Sequence, residues 1–263
     1  MAAASVGKGR WRGLLLPIVL IVFAAVGSAV LRSSRPVKRD IYVLTVDTLR
    51  ADHLGVYGYG RATSRNLDAF ASSAIVFEDV VATSSWTLPS VGSLLTGVYP
   101  PVHGLRARLG EAEFTALRPG VKTLAEVLRS EGYRTRAIVT NPWVVRGEHG
   151  FERGFEEYYE IHTAPAAVVN NRARGLIAGE DERPLFLYLH YYDPHGPYNR
   201  HGNLSPAVLG PLAAALDRPL SEAELGTRPS YLQTEGLERL GDFIDAYDLG
   251  VYAWDREFGK WIG

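Results

Sequence analysis

Six residues, Ile41-Tyr42-Val43-Leu44-Thr45-Val46, restrict the fold more than any other stretch. β-Branched and apolar side chains follow one another there, as in a strand buried on both faces of a parallel sheet. Such a sheet needs helices on both sides, and the rest of the chain alternates accordingly. Asn66 to Ala74 predicts a helix with Leu67, Phe70 and Ala74 on one face. Ile75 to Val81 reads as a short strand. Thr123-Leu124-Ala125-Glu126 is a capping box that opens a helix ending near Gly132. Arg134 to Thr140 and Pro184 to Tyr191 read as further strands. Residues 199 to 228 read as loop, and Gly241 to Ile262 as an amphipathic final helix. The expectation is one α/β domain around a mostly parallel sheet.

The first strand ends at Asp47. Open α/β sheets place their ligands at the carboxyl ends of strands, so a carboxylate there suits a metal ion. A plain turn-capping role for Asp47 is the alternative. A second stretch, Ser84 to Gly97, begins polar and becomes small and apolar. Pro89 is predicted as its first helical residue, and Gly97 as a left-handed cap. Thr87 then stands just before a helix N-terminus, where N–H groups and the dipole favour an anion. A hydroxyl there can attack a phosphate or sulfate ester while the backbone holds its oxygens. The same residues also read as a Ser/Thr-rich helix cap.

These stretches carry a resemblance. VLTVDTLRADHLGVYGYG, RNLDAF and SSWTLPSVGSLLTGVYPPVHG resemble the N-terminal part of the sulfatase family, within the alkaline phosphatase superfamily. LAEVLRSEGYRTRAIVTN, GFERGFEEYY and FLYLHYYDPHGPY continue it in the family's order, over most of the chain from about residue 40. Several ordered motifs make the match specific. The resemblance implies an alkaline phosphatase-like three-layer sandwich, incomplete at its C-terminus. It implies a divalent metal (calcium, manganese or zinc) with the nucleophile beside it. Asp47 and Thr87 fall on metal-ligand positions and Thr87 on the nucleophile. His195 matches a histidine that contacts the substrate's oxyanion or the leaving oxygen. On chemistry alone, a lone histidine in a Pro/Gly loop reads as structural.

The departures matter as much. The family carries Cys or Ser at the Thr87 position, converted to formylglycine, and an arginine at the Val91 position. Its second acidic residue beside the first ligand is Thr48 here. A lysine of the sulfate pocket has no counterpart, and Asn141 stands near that strand's end as the candidate substrate-binding group. An unmodified threonine resembles the phosphotransfer members of the superfamily. The family's late Asp-His pair is also missing before Gly263. The chain is therefore expected to be a fragment or a degenerate member. Three readings follow: a metal-dependent hydrolase of phosphate or sulfate esters, a phosphoethanolamine or phosphoglycerol-type transferase, and a non-catalytic binding or scaffold protein.

Residues 1–39 hold seven Lys/Arg and no acid, leaving 21 of the 28 basic residues against all 29 acidic ones, a net charge of −8 for residues 40–263. Such a body is not an electrostatic nucleic-acid binder. There are no cysteines, so disulfides and thiolate metal sites are excluded. Residues 13–31 are uncharged and as a helix span about 28 Å, near the thickness of a bilayer's hydrocarbon core. They are expected to be a single-pass anchor holding residues 40–263, the sulfatase-like domain, outside the cytoplasm. A cleaved secretory signal, with Gly27 and Ala29 near the cut, is the rival.

Overall fold

Among the described residues, β1 (Ile41–Val46), β2 (Arg134–Val139), β3 (Glu157–Glu160) and β4 (Leu185–Tyr191) form one sheet in the order β1-β4-β2-β3. Every neighbouring pair is parallel, with Ile41 opposite Phe186 and Val139 opposite His190. β4 lies between β1 and β2, and its sequence explains why. All seven residues of Leu-Phe-Leu-Tyr-Leu-His-Tyr are buried, as a strand covered on both faces requires. β1 is only half-buried and Tyr42 is exposed. The expectation of a strand buried on both faces thus holds for β4, whereas β1 forms an edge of the described sheet.

The computed structural model describes residues 38–106, 115–142, 149–179, 181–198, 204–227, 232 and 236–263. Asp40–Gly263 is one compact unit. The anchor expected at residues 13–31 lies outside the described residues. Among those described, no helix is long and apolar enough to cross a membrane.

Strand alternation sends successive side chains to opposite faces. Phe186 and Tyr188 of β4, with Ala137 and Val139 of β2, pack under α2 (Thr87–Thr96) and α4 (Leu124–Ser130) through Leu88, Val91, Leu95 and Ala125. Leu185, Leu187, Leu189 and Tyr191 face the other way, against α5 (Ala166–Ile177) and α7 (Leu240–Ile262). Helices thus cover both faces, giving the three-layer sandwich. The connections α1 (Arg65–Ala71), α3 (Pro100–His103) and α6 (Glu222–Gly226) are short.

Local signals explain several boundaries. The capping box is present: Thr123 Oγ1 accepts the Glu126 N–H at 3.1 Å and the Glu126 carboxylate accepts the Thr123 N–H at 2.8 Å. Thr123 Oγ1 also donates to the Arg153 carbonyl at 2.7 Å, which ties GFERGFEEYY to this helix start. Gly154 is the close approach in that joint. Its φ is +90°, and a Cβ there would meet the Glu126 backbone nitrogen at 2.1 Å. Gly154→Ala is therefore expected to lower stability by about 3 kcal/mol, combining backbone overpacking with a left-handed residue. Chemical denaturation measures it, and a loss below about 1 kcal/mol contradicts the close approach.

Three expectations change. α2 begins at Thr87, two residues before Pro89, with Trp86 as its extended N-cap. Proline is tolerated within the first helical turn because the missing N–H has no intrahelical acceptor there. Gly97 does end it, with φ +70°. The strand expected over Ile75–Val81 is not formed; Ile75, Phe77, Val80 and Val81 are 85%, 68%, 74% and 90% exposed. A segment rich in β-branched and aromatic residues becomes a strand only against a partner, and none lies beside it among the described residues. Residues 199 to 228, read as loop, hold α6 and two 3-10 turns, Pro206–Leu209 and Ala214–Leu216, and the first-strand loop holds two more, Ala51–His53 and Gly55–Tyr57.

α7 supplies the framework for that loop. Its buried Tyr247, Asp248, Val251, Trp254, Asp255 and Phe258 recur at helical spacing and make one inward stripe. Two of these are aspartates, and each has work to do. Asp255 accepts the N–H groups of Asn66 and Leu67 at 3.0 and 2.8 Å, capping α1 from another helix. Burial pushes its carboxyl upward in pKa, against those hydrogen bonds. Asp248 is fully buried and binds His53 Nδ1, Tyr59 Oη and Arg61 Nη1, each at 2.6 Å.

Candidate active site

The site forms where β1 ends beneath the start of α2. The Asp47 N–H donates to the Tyr191 carbonyl at 2.9 Å, extending the β1–β4 ladder by one residue. That bond fixes the backbone from which the carboxylate projects. Thr87, the first residue of α2, donates from Oγ1 to both Asp47 oxygens at 3.3 Å. A bifurcated bond of that length is weak, so the hydroxyl is oriented without being held tightly. The N-cap Trp86 provides no side-chain cap. The N–H groups of Thr87 and Leu88, which no helix can satisfy internally, stand beside the hydroxyl. An anion approaching Thr87 meets both them and the positive dipole end.

Asn141 is fully buried just beyond β2, and its Nδ2 donates to Asp47 Oδ2. Three residues from three parts of the sequence, Asp47, Thr87 and Asn141, are therefore joined by hydrogen bonds. Asn141 stands against the carboxylate, where it orients Asp47.

His195 lies in the loop after β4, half-buried. Its N–H donates to the Tyr192 carbonyl at 2.8 Å, and its ring stacks on Tyr192 with centroids 4.5 Å apart. Nδ1 lies 2.7 Å from the Gly196 carbonyl. A carbonyl only accepts, so in the neutral ring the proton sits on Nδ1 and the lone pair on Nε2. The neighbouring Asp193 is buried and accepts the Ala166 N–H at 3.0 Å, tying the loop to the start of α5.

Three polar residues on the same face of the sheet, Thr45, Tyr188 and His190, add to the site beyond those expected. Tyr188 Oη and Thr45 Oγ1 share a hydrogen bond of 3.1 Å. Burial raises the phenol's pKa, and the Asp47 charge adds to the effect. His190, paired with Thr45 in register, is buried with no partner for Nδ1 among the described residues. Burial lowers its pKa, opposed by Asp47. A histidine within an apolar strand was the sequence signal for it.

The departures from the sulfatase pattern have structural counterparts. Val91 packs in the apolar cluster beneath α2. Thr48 has φ +59° and an exposed side chain. His103 is fully buried and braces α2: its Nδ1 accepts the Leu105 N–H and its Nε2 contacts Ser93 Oγ, both at 3.1 Å.

The family model described as Sulfatase matches residues 39–208. The mouse (Mus musculus) arylsulfatase G is 33% identical over 132 residues, which is 49% of this chain and 25% of that enzyme. N-acetylgalactosamine-6-sulfatase of Sus scrofa is 28% identical over 184 residues, 65% of this chain and 33% of that enzyme. The chain thus spans a quarter to a third of the length of these relatives. Among solved structures, the C-terminal periplasmic domain of EcEptC from Escherichia coli, in complex with Zn, superposes with a TM-score of 0.59 at 16% identity. That match covers 85% of this chain and 58% of the other.

Proposed function

The chain belongs to the sulfatase family, and from that premise we propose that it carries the nucleophile half of an ester hydrolase acting on phosphate or sulfate esters. The observation behind this reading is the contact of Thr87 Oγ1 with both Asp47 oxygens at the N-terminus of α2. In the proposed chemistry, the α2 N–H groups bind two ester oxygens while Asp47, held by Asn141, orients the threonine hydroxyl. Thr87 Oγ1 forms a bond to phosphorus as its proton passes to Asp47, and the bond to the leaving alcohol breaks; water then attacks phosphorus, and Asp47 returns the proton to the departing Thr87 Oγ1. His195 is assigned to the leaving oxygen: with both ring nitrogens protonated, Nε2 gives its proton to the departing alcohol and then takes one from the attacking water.

Sulfatase-family members typically bind a divalent metal. In this chain the Asp47 carboxylate and the Thr87 hydroxyl are the donors brought together. Among the described residues, no three His, Cys, Asp or Glu side chains are grouped to hold an ion. Two donors do not fit a whole site, since a hard cation takes six or more oxygen ligands and a catalytic zinc about three protein ligands. The proposed chemistry therefore rests on the chain's own side chains.

An unmodified threonine favours phosphate over sulfate, because formylglycine hydrate, which releases bound sulfate, cannot form from it. Paired aryl phosphate and aryl sulfate assays test this. Phosphate cleavage at least about tenfold faster is expected, which corresponds to ~1.4 kcal/mol in barrier. Faster sulfate cleavage contradicts the threonine chemistry. Transfer to an added alcohol in preference to water identifies the transferase reading. Silence on both esters supports the non-catalytic one.

Residues 13–31 are proposed as a membrane anchor, on the uncharged run bounded by arginines. After alkaline carbonate washing the chain is expected to stay in the membrane fraction. A shortened soluble form instead marks a cleaved signal.

A further inference from the structure

The backbone leaves Asp47 through a turn that its sequence does not favour. Thr48 has φ +59°, a left-handed conformation that a β-branched residue rarely adopts. Its side chain is exposed, so packing does not hold it there. The turn's own hydrogen bond, from the Leu49 N–H to the Val46 carbonyl, is long at 3.4 Å.

One side chain closes on this turn from across the molecule. Tyr247 of α7 donates from its hydroxyl to the Thr48 carbonyl at 2.7 Å and accepts the Arg50 N–H at 2.9 Å. Both hydrogen bonds of the phenol go to the turn. The ring is 7% exposed and packs with Leu54, Val251 and Leu49. It also stands edge-on to Tyr198 at 6.3 Å. Tyr198 belongs to the same loop as His195.

We propose that Tyr247 is a positioning residue for the site: its oxygen holds the turn that aims Asp47 at Thr87, and its ring steadies the His195 loop. The inference rests on the reading of Asp47 and Thr87 given under the proposed function. Packing alone needs only the ring. The oxygen satisfies a carbonyl and an N–H on either side of Leu49, and so holds a turn whose own hydrogen bond is long at 3.4 Å.

Hydrogen exchange on the 263-residue chain tests this with Tyr247→Phe, Thr48→Gly, the double variant, and Tyr252→Phe as a control on the same helix. Tyr247→Phe keeps the ring, loses both hydrogen bonds to the turn, and is expected to speed exchange across residues 48–53 about tenfold or more. Exchange in β4 and in the control stays unchanged. Glycine accepts the left-handed turn without strain, so the double variant should lie closer to wild type than Tyr247→Phe does. Unchanged exchange over 48–53, or an equal rise throughout β4, overturns the inference. A double variant no better than the single one also overturns the claim that the phenol holds a strained turn. If aryl phosphate is turned over, kcat is expected to fall about tenfold in Tyr247→Phe with KM unchanged; a rise in KM alone counts against positioning. Absence of turnover in wild type removes the hydrolase reading, and exchange still decides the role of Tyr247.

Discussion

Thr87→Ala is expected to abolish ester turnover, by three orders of magnitude or more, and to eliminate any trapped phospho-enzyme. Alanine is a good helix former at the first position of α2. The Thr87 bonds to Asp47 are long at 3.3 Å, so little stability is lost. Asp47 would keep its bond from Asn141. A large kinetic loss on an intact fold then isolates the hydroxyl as the reacting group. Thr87→Ser, which retains it, is expected to keep measurable turnover and to gain one phosphoryl group by intact mass. Full activity in the alanine variant removes Thr87 from the chemistry and leaves the family assignment intact.

The largest structural effect is expected from Asp248→Ala, a loss of about 4 kcal/mol measured by urea unfolding. The carboxylate is the hub of His53, Tyr59 and Arg61. The Arg61 side chain is 6% exposed, and its remaining carboxylate partner, Asp245, is 28% exposed. Deleting Asp248 strands a buried guanidinium, and this costs more than the pair's net contribution to stability. Asp248→Asn keeps the shape and some hydrogen bonds and should lose less. If both variants unfold as wild type does, the buried network contributes nothing and apolar packing alone holds the first-strand loop.

What was legible in the sequence was whatever a short window encodes. The Thr123 capping box, the left-handed Gly97 and the stripe of α7 need only neighbours within a few residues, and each is found where expected. The position of Asp47 at the end of β1 was legible because a carboxylate after an apolar run has a place in an open α/β sheet. The misses share a cause. Ile75–Val81 has the residues of a strand, and nothing local reports that no described partner lies beside it. Trp86 decided the start of α2 by taking an extended conformation ahead of Thr87. Tyr247 and Asp248 looked like parts of an amphipathic helix, because their partners at Thr48 and His53 are 199 and 195 residues away. Windowed periodicity carries no such pairing.

The strand order has a consequence for how the chain is made. β4 is central, yet it is translated last of the four, and Asp40 and Leu185, joined by a hydrogen bond, are 145 residues apart. At ribosomal speeds that gap lasts roughly ten to thirty seconds. During it β2 and β3 can pair with each other, whereas β1 waits with no neighbour in this sheet. The apolar wall under α2 is equally incomplete until Phe186 and Tyr188 emerge. The nascent domain therefore passes through a vulnerable interval in which its first strand is open to other sheet edges. Among the described strands β4 is the last made and inserts between two already present, so a pause in synthesis before Leu185 should raise aggregation more than a pause after Tyr191.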